Sequence, residues 1–183
     1  MQKSSGSARL FRYNKYTPTL LTEPIMLTYK NIKEAHQKLI SATMQRTVAL
    51  RKIAVAMLGA YKESLQLPDD TFITGDGQRK PYVDTVLKEY DKVEPCMVAA
   101  LSTDENYCLS FYLRTAVNDD PHSWQYIDMR ISVSIQGDDA YVLLENESQP
   151  LIVILEPVDG QFAEVVERIK SNLILRLNSL APV

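Results

Sequence analysis

The sequence predicts an α+β fold, and three observations predict it. Apolar and small residues recur at helical spacing from Thr28 to about Leu65, the period switches to two beyond Cys96, and helical spacing returns from Gly160 to about Leu180. The expected order is a long N-terminal helix, a short helix, a five-stranded antiparallel meander sheet and a C-terminal amphipathic helix packed on that sheet. Of the 183 residues, 45% are AVILMFWYC and 23% are charged. Such a composition supplies one hydrophobic core and excludes wholesale disorder, a collagen-like fibre and a disulfide-stapled mini-protein. A single α+β domain is therefore expected over 28–183, behind an extended or partly ordered segment over 1–27.

That N-terminal segment carries Ser4, Ser5, Gly6, Ser7, Pro18 and Pro24 without a sustained period, and at most a short edge strand over Leu10–Tyr16. From Thr28 to about Leu65 Pro is absent and one apolar row runs Ile32, Ala35, Leu39, Ala42, Ala49, Ile53, Ala56, Ala60. A second runs Ile40, Met44, Leu50, Ala54, Met57, Leu58, Tyr61, Leu65, and Pro68 with Asp69 and Asp70 ends the helix. Its first half keeps a polar face, whereas residues 48–61 are apolar nearly all round except at Arg51 and Lys52. A helix of that kind must be covered on most sides, either as the central helix of the domain or as half of a helix–helix dimer contact.

Phe72–Lys80 holds a turn at Gly75–Asp76–Gly77, and Tyr82–Lys92 reads as the short helix. Strands are expected over Cys96–Ser102, Tyr107–Ala116, Trp124–Gln136, Ala140–Glu145 and Leu151–Leu155. The clearest alternates Ile127, Met129, Ile131, Val133 and Ile135 with Asp128, Arg130, Ser132 and Ser134, the pattern of a sheet with one buried face. Short turn-forming connections link these strands into hairpins. On the last helix Phe162, Val165, Val166, Ile169, Leu173, Leu177 and Leu180 share a face, with Leu175 near the middle of the polar side.

Chemistry-bearing motifs are scarce. His36 has Ile40, not a ligand, one helical turn on, and His122 with Asp119 and Asp120 sits before and after Pro121 in a turn. Gly75–Asp76–Gly77 meets neither the P-loop nor the dinucleotide-loop spacing. GxSxG, HExxH and calcium-loop patterns are absent. Cys96 and Cys108 lack CxxC spacing and read as two buried free thiols. No secretory leader pattern and no run of about 18 uncharged apolar residues occurs, so no membrane-spanning helix is expected and the cytoplasm is the default. No catalytic residue, cofactor or metal is expected.

The charge distribution exceeds background. Residues 1–62 hold eleven Lys/Arg against two Glu, a charge of +9; the remainder carries -12, and the whole -3. Three readings follow. The basic third complements the acidic remainder, within the chain or across a dimer. It binds nucleic acid, with Arg9, Arg12, Lys15, Lys30, Lys33 and Lys38 on phosphates and Phe11, Tyr13 and Tyr16 stacking on bases. Or it recognises an acidic protein partner.

The expected function is a non-catalytic interaction protein, an adaptor, chaperone-like binder or inhibitor, acting on a protein partner as a homodimer. Its candidate surface is Arg9, Phe11, Arg12, Tyr13, Lys15, Tyr16, Lys30, Lys33, Lys38 and Leu175. The alternatives are a nucleic-acid-associated regulator and a small-ligand-binding domain whose pocket is lined by Trp124, Tyr126, Phe111 and Tyr112.

Overall fold

Thr28 opens the first helix with a capping box. Its hydroxyl accepts from the Asn31 N–H at 3.4 Å, while its own N–H donates to the Asn31 side chain at 2.9 Å. In the computed structural model, which describes residues 27–90, 92–155 and 158–180, helix α1 then runs Tyr29–Ser64. Strands follow as β1 (Thr71–Ile73), β2 (Arg79–Pro81), β3 (Val83–Glu89), β4 (Lys92–Pro95), β5 (Leu109–Asn118), β6 (Gln125–Gln136), β7 (Asp139–Leu144) and β8 (Leu151–Ile154). Helix α2 (Ala163–Leu180) closes the fold.

β1 and β2 form a separate hairpin, and the other six strands form an antiparallel sheet in the order β4-β3-β5-β6-β7-β8. Alternation builds the core. Leu109, Phe111 and Leu113 on β5, Ile127, Met129, Ile131, Val133 and Ile135 on β6, and Ala140, Val142 and Leu144 on β7 all turn to one face. Leu50, Ile53, Met57 and Tyr61 of α1 cover that face together with Val165, Val166, Ile169 and Leu173 of α2. Tyr61 is fully buried, and its hydroxyl shares a 3.0 Å hydrogen bond with Thr115, so neither polar group is orphaned. On the opposite face Asp128 binds the Arg114 guanidinium through both oxygens, at 2.8 and 3.0 Å, and Lys88 at 2.9 Å.

Three expectations need correction. Tyr82–Lys92 is no helix: Val83–Glu89 is strand β3, which turns at Tyr90 (φ 53°) into β4. Cys96–Ser102 is no strand but a 3-10 turn, Val98–Ala100, with flanking loop. Its apolar residues are spent beneath α1, where Val98 and Leu101 are buried and Arg51 donates to the Leu101 carbonyl at 2.7 Å. The main sheet accordingly has six strands, not five, and is no simple meander. β5 pairs with β3 rather than β4, so residues 96–108 carry the chain across from the outer edge. Gly75–Asp76–Gly77 is the expected turn, joining β1 to β2. A Cβ on Gly75 would lie 2.7 Å from the His122 ring, which explains the glycine there.

A helical arm and the groove at its root

Thirty-six residues of α-helix extend about 54 Å, at ~1.5 Å per residue. The longest strand, the twelve-residue β6, spans only about 40 Å at ~3.3 Å per residue. The helix therefore outruns the surface available to it. Residues 29–42 are exposed on every side, and burial begins near Thr43. The first half of α1 is an arm projecting past the end of the sheet where β6 turns into β7.

The arm repeats the stripe of the buried half. Ile32, Ala35, His36, Leu39 and Thr43 each precede a core residue by about five full turns, namely Leu50, Ile53, Ala54, Met57 and Tyr61. They point in the same direction, yet Ile32 is 62% and Leu39 56% exposed. On the outer flank Ile40, Met44, Val48 and Val55 are also exposed. The expectation that residues 48–61 are covered on most sides is met on the sheet side only.

Where the arm leaves the sheet, Leu39, Ala42, Thr43, Arg46 and Ala49 face Tyr107, Ile135 and Leu155 across a mainly apolar groove of about 530 Å³. Arg46 lies in it. One of its terminal nitrogens donates to the Ile135 carbonyl, and its guanidinium sits 5.5 Å from the centre of the Tyr107 ring. Its Nε is buried without a partner, and no carboxylate pairs with it among the described residues. Cys108, near the groove, hydrogen-bonds the Val133 carbonyl, and burial pushes its thiol above the ordinary value; Cys96 is shifted the same way for the same reason. Both cysteines are free and half-buried.

The loops next to Tyr107 and Ile135 are acidic and are taken as the groove's rim. Asp104 and Glu105 belong to the turn that ends at Tyr107, and Asp138 and Asp139 to the hairpin that follows Ile135; all four are exposed. Asp104 accepts the Asn106 and Cys108 N–H groups, which fixes the turn. Within α1 the one ion pair among described residues is Lys30–Glu34 at 3.9 Å, internal to the helix. No described ion pair joins the basic helix to the acidic sheet and α2.

Of the sequence-predicted surface, Lys30, Lys33 and Lys38 all lie on the arm and are exposed. Arg9, Phe11, Arg12, Tyr13, Lys15 and Tyr16, with the strand expected over Leu10–Tyr16, lie outside the described residues. Leu175 is 64% exposed but far from the arm, beside Met129 and Glu145 towards the other end of β6. The four aromatics expected to line one pocket do not. Phe111 is in the core, Tyr112 is its neighbour on the opposite sheet face, and Trp124 and Tyr126 pack with Phe72 against the β1–β2 hairpin. Sequence reasoning did not single out Leu39, Arg46, Tyr107, Ile135 and Leu155 as a site. The available signal was a stripe some ten turns long, more than a small sheet covers.

Among the described residues no group of three or more His, Cys, Asp or Glu is placed to hold a metal, and no helix is long and apolar enough to cross a membrane. Asp120 is spent on the turn, accepting the His122 and Ser123 N–H groups, and Asp119 accepts the Tyr82 hydroxyl at 2.7 Å. No family model, curated protein or solved structure matches the chain.

Proposed function

We propose that this chain is a non-catalytic interaction protein whose docking surface is the α1 arm with the groove at its root. One observation carries the reading: the arm presents to solvent the same stripe that its own C-terminal half buries. Apolar helix surface of that extent marks a place where another polypeptide packs, because leaving it wet forfeits roughly 25 cal/mol per Å² of burial. Adaptor, chaperone-like binder and inhibitor are all roles such a surface serves. The free thiols support a reducing compartment such as the cytoplasm.

The test is a comparison of the wild-type chain with Leu39→Asp and with Val142→Ala, purified from their native cells. Loss of co-purifying protein in Leu39→Asp, with an unchanged melting temperature, supports the reading. Equal capture by the wild type and Leu39→Asp sinks it, as does an equal loss from the core substitution Val142→Ala.

A nucleic-acid surface is the second reading, favoured by the exposure of Lys30, Lys33 and Lys38 on the arm. It predicts binding that weakens steeply with salt.

A further inference from the structure

We infer that the arm's first occupant is a second copy of this chain, the two arms lying antiparallel so that each enters the other's groove. The inference rests on the reading of the arm as a docking surface and names what docks there.

Charge decides the partner. The basic and acidic parts of the sequence are strongly unequal, yet no described ion pair joins α1 to the rest of its own chain. Asp104, Glu105, Asp138 and Asp139 are exposed on the loops beside groove residues Tyr107 and Ile135, while Lys30, Lys33 and Lys38 are exposed on the arm. A surface carrying the matching charge is therefore present on every copy. Placing a two-fold axis near Leu39 sets Ile32 of each copy level with Arg46 of the other, at the other's groove. The arm from Tyr29 to Arg46 is about 25 Å long, so it reaches that far without strain. Lys33 is then level with Gln45 of the other copy and Lys38 with Ile40, on the two shoulders of the stripe about 110° to either side of its centre, from which their flexible stems extend towards the rim. Ala35 and Ala42 leave room for close helix approach. The contact is isologous: what one copy offers, the other accepts. A standard stable interface buries roughly 1,600 Å² in total, about 800 Å² from each copy, which is what each arm and groove together have to cover.

Charge reversal tests this in the full chain. Lys33→Glu/Lys38→Glu sets arm against rim in its own homodimer, and Asp138→Lys/Asp139→Lys does the same from the other side. Sedimentation equilibrium is expected to give a dimer for the wild type, weakened by salt and by roughly tenfold or more in each reversed chain. Mixing the two reversed chains restores both contacts at once, so a heterodimer forms. Leu39→Asp, at an exposed position, dissociates the dimer without unfolding it.

A wild-type mass that stays monomeric to several hundred micromolar overturns the inference, as does a dimer indifferent to both reversals or a mixture that fails to pair. Because Leu39→Asp is also read against co-purifying protein, a monomer that still loses its partner on that substitution removes the second copy and leaves the docking surface standing.

Discussion

Asp128 shows how a single side chain holds the solvent-facing side of the sheet together. Burial disfavours its charge, but the hydrogen bonds and charges of Arg114 and Lys88 outweigh that and hold its carboxyl below the ordinary carboxylate range. Its side chain is 12% exposed, against 23% for Arg114 and 33% for Lys88, so solvent screens the cluster only in part. The pairing draws β3, β5 and β6 together, since Lys88, Arg114 and Asp128 come one from each. Replacing Asp128 by Ala leaves two neighbouring cations unmatched and is expected to cost about 2 kcal/mol in a urea titration. The sign of the pH effect follows. A folded-state value below the unfolded one stabilises the fold above about pH 4, and that stability disappears as pH falls through the folded value. Asp128→Ala is therefore expected to lose stability at neutral pH and to flatten the acid limb of the stability profile. An unchanged acid limb would show that this carboxylate is not what acid removes.

At the scale of elements, the two halves of α1 are continuous in sequence and opposite in environment. Ala35→Pro breaks the arm where no described residue packs on it, so below the association range the melting temperature is expected to stay unchanged. Met57→Ala, about six turns on in the same stripe, empties a fully buried site and is expected to cost about 2–5 kcal/mol. Amide exchange is expected to follow the same division, fast over 29–42 and slow over 50–61 in dilute solution. Equal protection of both halves at high dilution would contradict it. This division also marks where the sequence was legible. α1, β5 to β8 and α2 lie within a few residues of their expected bounds because each buries one face against a neighbour, which imposes a clean period. β3 reads as a helix in the sequence because Val83, Val86, Leu87 and Tyr90 fall at helical spacing by coincidence. An edge hairpin that buries only Val83 and Val86 imposes no alternation to contradict them. The residues 98–101 are apolar because they pass beneath α1, and burial without pairing resembles a short strand. The arm's stripe was visible in the sequence, but periodicity reports which side of a helix is apolar, not how far the surface it meets extends. The groove needed Tyr107, Ile135 and Leu155, distant in sequence, to come together beside α1.

For the whole molecule, the question is which surface neutralises the basic arm. Nucleic acid and the acidic rim of another copy compete for the same lysines. The net charge of -3 and the -12 beyond residue 62 repel a polyanion at long range. If the rim holds the arm, the wild-type chain is expected to show no binding to labelled single-stranded DNA or RNA at physiological salt by fluorescence anisotropy. Asp138→Lys/Asp139→Lys frees the arm and removes nearby negative charge, so weak binding is expected to emerge at low salt and to fall log-linearly as salt rises. Lys33→Glu/Lys38→Glu should bind under neither condition. Wild-type binding that survives physiological salt and is lost in Lys33→Glu/Lys38→Glu would reverse the assignment. The arm would then be a nucleic-acid surface, and the acidic rim a competitor that limits access to it.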